Sequence, residues 1–265
     1  VRHNKFQECL TLVKAGIPVL LTGEKGSGKT TLAIQVAKEL DLPFYSVSMT
    51  RQTTLSYLMG FMNVSGAYVP SLLRRAVEEG GMYLLDEMDA GDPNVLLSLN
   101  TIENGFVSFP DKIVELHPNF RLMGSSNPAH LHAHYTGRAK LDAATLDRFD
   151  EIVIPRDEEL EKSLVDSDTY ANMTALREAL TETNSGIVLS MRDSLRFQKR
   201  KELGLLAGYL EKLTGHEDFI LKKYKEKLKT MPRHTSQSDC ETMADLLHLL
   251  NSENDTEWEE ITISA

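Results

Sequence analysis

The chain has 265 residues, 41% of them hydrophobic, enough for a domain of ordinary size with its own core plus a smaller one. Its formal charge is −10, which excludes an overall basic field drawing it to nucleic acid or anionic membrane. Two cysteines far apart, Cys9 and Cys240, exclude a disulfide framework, and no stretch is long and apolar enough to span a bilayer.

Residues 2–15 mix charge with Phe6, Cys9, Leu10 and Val13, which predicts an amphipathic helix leading into a first strand. That strand is the apolar run Ile17-Pro18-Val19-Leu20-Leu21. Next comes Gly23-Glu24-Lys25-Gly26-Ser27-Gly28-Lys29-Thr30, which fits the phosphate-binding pattern G-x-x-x-x-G-K-[ST]. From Thr31 to Leu40, Leu32, Val36 and Leu40 fall four apart on one helical face. Strand, glycine loop and helix are the setting in which this loop works. Its glycines let backbone N–H groups turn inward around a phosphate chain, and the helix N-terminus adds its positive end. Lys29 is placed to reach the β- and γ-phosphates of a nucleotide, and the Thr30 hydroxyl to ligate Mg²⁺. Residues Gly23 to Thr31 form the expected nucleotide-binding set.

Pro43 to Ser48 reads as the second strand. Between Met49 and Gly66, Leu55, Leu58, Met59, Phe61 and Met62 crowd around Gly60, which fits a short hairpin or loop interrupting a helix. A helix resumes at Ser71 and ends at Gly80-Gly81. Met82-Tyr83-Leu84-Leu85-Asp86-Glu87 is a buried strand ending in two acids, which places them at the carboxyl edge of the sheet. Asp86 would hold the Mg²⁺ shell and Glu87 would polarise the attacking water as general base. Asp92-Pro93 opens a helix whose inner face is Leu96, Leu99 and Ile102 and which closes at Gly105. Residues 106–110 and 112–116 read as a hairpin around Asp111, and 120–127 as a strand ending in Asn127.

With Asn127-Pro128 and then Leu141 to Phe149 in place, the chain resembles an AAA+ ATPase over roughly residues 5–155. The hairpin before the Asn127 strand and the loop around Gly60 are similar to the inserts of one branch, the MoxR-like, CobS-like and dynein- or midasin-related ATPases. The resemblance implies a sensor role for Asn127, orienting water with Glu87. It implies that Arg148 is an arginine finger supplied to a neighbouring subunit, with Arg138 a second candidate that the sequence does not rank against it. A salt bridge to Asp147 or Asp150 is the competing use of Arg148. His130, His132 and His134 alternate after Asn127 and fit either a metal site or a polar loop facing a neighbour.

Glu151 to Pro155 reads as the fifth strand. Tyr170, Met173, Leu176 and Leu180 then recur at helical spacing, as do Leu203, Leu206, Tyr209, Leu210 and Leu213, which fits the helical lid of the family. Ser190-Met191-Arg192 at a helix start resembles the second sensor, whose arginine touches the phosphates; an ordinary surface charge is the alternative. The five lysines between Lys222 and Lys229 read as a solvated helix end. From Met231 onward eight acids face one base, and a linker, one short helix and a mobile acidic tail are expected.

The expectation is therefore an α/β core with a parallel five-stranded sheet over residues 1–155, a helical lid over 156–230 and a tail over 231–265. The resemblance implies hydrolysis of ATP with Mg²⁺ in a ring of six, coupled to remodelling of a partner protein such as one of von Willebrand A type. Nucleic acid and membrane are not expected as partners; a nucleic-acid motor and an ATP-timed assembly scaffold are the alternatives. Cysteine usage and the lack of a visible signal peptide predict a cytoplasmic setting. Val1 in place of Met fits a chain from which an N-terminal piece has been removed or left out.

Overall fold

The computed structural model describes residues 1–127, 141, 143–206, 209, 210, 212, 214 and 218–230. The His130, His132 and His134 loop, Arg138, Leu213 and the segment from Met231 onward lie outside these residues. The chain divides into two compact units, Val1–Leu160 and Glu161–Ala265.

The first unit is built on a five-stranded parallel sheet in the order β2-β5-β8-β1-β9. The strands are β1 Val19–Thr22, β2 Phe44–Ser48, β5 Gly81–Asp86, β8 Phe120–Ser126 and β9 Asp150–Val153. Alternation along each strand sorts side chains between the two faces. Val19 and Leu21 of β1 and Met82 and Leu84 of β5 pack with helices α1 (Phe6–Lys14) and α2 (Lys29–Glu39). Leu20, Tyr83 and Leu85 point the other way, against α3 (Leu55–Met59), α4 (Leu72–Glu79) and the segment from Pro93 to Asn104. Covering both faces is what makes these strands continuous apolar runs. In α1, burial pushes the Cys9 thiol up to about 12.

Two small antiparallel hairpins stand outside this sheet. The first pairs β3 (Phe61–Met62) with β4 (Tyr68–Val69), and the second pairs β6 (Phe106–Ser108) with β7 (Ile113–Glu115). Both are where the sequence places them. The helix expected from Asp92 is different. Asp92 caps it, but only Pro93–Leu96 (α5) is α-helical, and Leu97–Asn104 is a 3₁₀ helix. Its buried residues Leu96, Leu99 and Ile102 recur every third position, the period of a 3₁₀ turn.

After α6 (Ala143–Leu146) and β9, helix α7 (Glu158–Leu164) runs across the boundary between the units. The second unit contains α8 (Ser167–Glu182), α9 (Met191–Glu202) and α10 (Asp218–Thr230). It has its own apolar core, centred on Met173, Leu176, Phe197, Leu210 and Tyr224. A polar network runs through it. Glu161, 1% exposed, receives Arg177 Nη2 at 2.7 Å and the hydroxyl of Ser194. Tyr224 Oη donates to Asn172 Oδ1 at 2.6 Å, and Asn172 Nδ2 donates to Asp168. The lysine-rich helix is therefore no mere solvated end: α10 buries Tyr224 and Leu228 against α8, and Lys227 pairs with Glu182. Of the second helical run, Leu206, Tyr209 and Leu210 are buried, with Tyr209 and Leu210 helical, while Leu203 lies exposed just past the end of α9 at Glu202.

Candidate active site

Three adjacent strands, β5, β8 and β1, end side by side, and the candidate residues lie just past those ends. Thr22 closes β1 and the glycine loop follows. At Gly23 a Cβ would fall 2.4 Å from the carbonyl oxygen of Ile154, so only glycine lets the loop start this close to the chain leaving β9. Gly28 caps α2 with φ 97°, a left-handed conformation that brings the chain out of the loop and into the helix. No side chain caps this helix, so its first-turn N–H groups face the loop. Ser27 Oγ is buried in the loop without a hydrogen-bond partner among the described residues. Lys29 Nζ folds back to donate to the carbonyls of Gly23 at 2.6 Å and Glu24 at 3.0 Å. Glu24, Lys25, Thr30 and Thr31 are exposed, and Gly26 is half-buried.

The Thr30 hydroxyl donates to Asp86 Oδ2 at 3.0 Å, joining the first turn of α2 to the end of β5. The other carboxylate oxygen, Oδ1, accepts from the Ser125 hydroxyl of β8. Ser125 Oγ also accepts from the backbone N–H of Glu87 at 3.1 Å. This follows from register: Leu85 pairs with Gly124, so Asp86 lies opposite Ser125. Ser125 thus fixes both acids at once. The sequence carried a sign of it, a run of two serines before Asn127, but only strand pairing reveals which serine meets Asp86. Glu87 itself has φ 57° and ψ 44°, left-handed for a residue with a side chain. It is one of three such positions among the described residues, and the other two are Asp41 and Asn184, types that tolerate this conformation. Asn127 Nδ2 donates to Asp89 Oδ2 at 3.4 Å, and both residues are buried. Asp89 is a second residue that sequence reasoning passed over.

The structure therefore brings together Lys29, Thr30, Asp86, Glu87 and Asn127. It does not bring Arg148 to them. Arg148 precedes β9, and β9 begins at Asp150 opposite Val19, the first residue of β1. It sits at the amino edge of the sheet, a full four-residue strand, roughly 13 Å, from the start of the glycine loop. There its Nε meets Glu103 Oε1 at 3.2 Å and its guanidinium donates to the Ala144 carbonyl. The partner is Glu103, not the Asp147 or Asp150 that sequence proximity suggests. A cavity of about 320 Å³ opens beside it, with an apolar lining that includes Leu99, Phe120, Leu122 and Phe149. Arg192 lies in the second unit, exposed in the first turn of α9, behind a capping box of Ser190 and Asp193. Arg138 lies outside the described residues.

A glycine loop, a Thr–Asp pair and an acid held in strained backbone, all on one sheet edge, are joined by a direct sequence match. Residues 18–149 match the AAA domain of the dynein-related subfamily. These residues belong to that family. Similar proteins include midasin of Giardia intestinalis, 27% identical over 71% of this chain and 4% of that protein. Gas vesicle ATPase GvpN1 of Halobacterium salinarum is 32% identical over 50% of this chain and 45% of its own length. The denitrification regulatory protein NirQ of Pseudomonas aeruginosa is 30% identical over 43% of this chain and 47% of its own. The AAA domain is thus of the MoxR-like type to which GvpN and NirQ belong, and the matches span about half the length of those two relatives or less. In fold, the chain is similar to NtrX from Brucella abortus, with a TM-score of 0.57 at 16% identity over 94% of this chain and 59% of that one.

Proposed function

We propose that the chain binds and hydrolyses ATP and uses the cycle to remodel a partner polypeptide, as one subunit of a ring, six being the number the family resemblance implies. The observation that carries the reading is the 3.0 Å contact between Thr30 and Asp86 at the mouth of the glycine loop, with Glu87 next in the chain. The hydroxyl and carboxylate are hard oxygen donors of the kind Mg²⁺ takes, and the unpartnered Ser27 hydroxyl marks the loop as a polar cradle. The ion, bound with the nucleotide, supplies charge neutralisation at the phosphates. Lys29 exchanges the Gly23 and Glu24 carbonyls for phosphate oxygens. Glu87, aimed by its backbone and by the N–H bond to Ser125, takes the proton of the attacking water. Asn127 orients that water. Arg148, too far from its own loop, offsets charge on a neighbour's nucleotide.

A polypeptide partner is favoured by the hairpins. Phe61, Met62, Val64 and Ile113 are exposed on them, whereas Phe109 is buried and Tyr68 is half-buried against it. The exposed set is apolar, and Lys112, in the second hairpin, is paired with Glu78 at 3.3 Å. Nucleic-acid binding needs clustered cations. A partner of von Willebrand A type belongs to the family resemblance and has no separate support in the structure.

The test is Glu87→Gln. The variant is expected to bind ATP as the wild type does and to lose turnover by roughly 10²–10⁴-fold, the contribution of a general base. Held in the ATP state, it should retain a polypeptide partner in pull-downs. Turnover at the wild-type rate would assign the water to another residue. Micromolar binding to single-stranded DNA with a steep salt slope would replace the polypeptide by nucleic acid.

A further inference from the structure

Arg74 lies on the inner face of α4 and is 4% exposed, a burial that arginine reaches only when paired. Its guanidinium holds both hairpins. Nη1 and Nη2 donate to the two carboxylate oxygens of Asp111, in the second hairpin, at 2.7 and 3.3 Å. The same guanidinium lies 4.7 Å from the ring centre of Phe109, also in the second hairpin, and 5.0 Å from that of Tyr68, in the first. The two rings meet edge to face at 6.5 Å. Glu78 of α4 takes the remaining charge at 2.8 Å and also binds Lys112 at 3.3 Å. The first hairpin is tied in turn to α3 by Tyr68 Oη, which donates to the Met59 carbonyl at 2.6 Å.

Hairpins with two and three paired residues per strand do not hold their shape alone in water. Their order comes from what they pack on, and both pack on one side chain. We infer that Arg74 is a positioning residue that couples the two hairpins into a single unit seated on α4, so that neither moves without the other. A planar fork beside two rings does this where a lysine would not, because it binds a carboxylate with two bonds while lying over aromatic faces. The inference deepens the polypeptide reading above: a unit gripping a chain through two hairpins transmits force only if they are joined.

The experiment is hydrogen–deuterium exchange on the full chain, comparing wild type with Asp111→Asn, Arg74→Lys and Arg74→Met. Asp111 lies in the second hairpin and its change leaves the first untouched in sequence. The expected result is exchange faster by roughly tenfold in both hairpins, 61–69 and 106–115, with α2 unchanged, since one charge-assisted bond is lost. Arg74→Lys should retain part of the protection and Arg74→Met less. Acceleration confined to 106–115 in Asp111→Asn would overturn the coupling. If the Arg74 variants lose protection in α2 as well, they are globally unfolded and Asp111→Asn decides alone. A second measurement uses casein as an unfolded polypeptide: the ratio of casein-stimulated to basal turnover should fall toward one in Asp111→Asn. Joint loosening of the hairpins with no casein effect in the wild type keeps the coupling and discards the polypeptide reading.

Discussion

At Glu87 the backbone and the chemistry pull against each other. A left-handed conformation costs a residue with a side chain of the order of 1–3 kcal/mol, and here it is imposed by the turn after β5 and by the N–H bond to Ser125. Glu87→Gly should therefore leave folding stability unchanged or raise it by up to about 1 kcal/mol in urea denaturation, while turnover falls as far as in Glu87→Gln. A clear loss of stability would mean that the glutamate side chain supports the fold. Lys29→Ala tests the neighbouring cation. Losing a charged hydrogen-bond donor to phosphate is worth about 1.5–3 kcal/mol, so nucleotide affinity by calorimetry should drop roughly ten- to hundred-fold. At this scale the sequence was legible where a residue's place follows from its own type and spacing, as it does for Lys29, Thr30 and Asp86. It was silent on Ser125 and Asp89, whose roles depend on strands that are remote in the chain lying side by side.

Among the elements, strands and caps were readable because they depend on local pattern: apolar runs, Asp92-Pro93, Ser190 before Asp193. The 3₁₀ stretch is masked in the sequence by its two ends, where Asp92 and Gly105 have the pattern of α-helix caps, although its three-residue repeat stands between them. The buried ion pairs were not read either. Glu161→Ala would leave the Arg177 guanidinium, 15% exposed, without its carboxylate in the second unit. The expected loss is about 3–5 kcal/mol in the melting of that unit, against less than half of this for Tyr224→Phe. In the hairpin clamp, the hydrogen bond from Arg74 holds the carboxyls of Asp111 and Glu78 below the ordinary carboxylate range. A depressed carboxyl stabilises the fold above its unfolded-state value, near pH 4, and that contribution is lost as pH falls through the folded-state value. The stability difference between wild type and Asp111→Asn should thus be constant above about pH 5 and shrink below pH 4. A difference that persisted to low pH would show that the asparagine acts through packing instead of charge.

For the whole molecule, the proposed reading requires two copies at each site. Specific ATPase activity should rise with protein concentration, because association completes the site. Arg148→Ala alone should cost up to roughly 10³–10⁵-fold, as removal of an arginine finger does. Mixing Arg148→Ala with Lys29→Ala should recover part of the activity, since some contacts then join an intact loop to an intact arginine. No recovery in confirmed mixtures would leave Arg148 a structural partner of Glu103 and turn attention to Arg138.

The placement of Arg148 before β9 and of the glycine loop after β1 also constrains symmetry. In the proposed reading the donor on one edge meets the acceptor on the opposite edge of the next copy, a head-to-tail contact in which a surface never meets its own twin. A two-fold dimer would instead have to seat both arginines against both loops in a single interface. Repeated head to tail, the contact completes every site only when the cycle closes, and a filament leaves its last site without an arginine. Two copies tethered in tandem would hold one finished site and one that lacks its arginine. Their burst of product in a single turnover should correspond to half the bound nucleotide, and inactivating the arginine of the donor copy alone should abolish it.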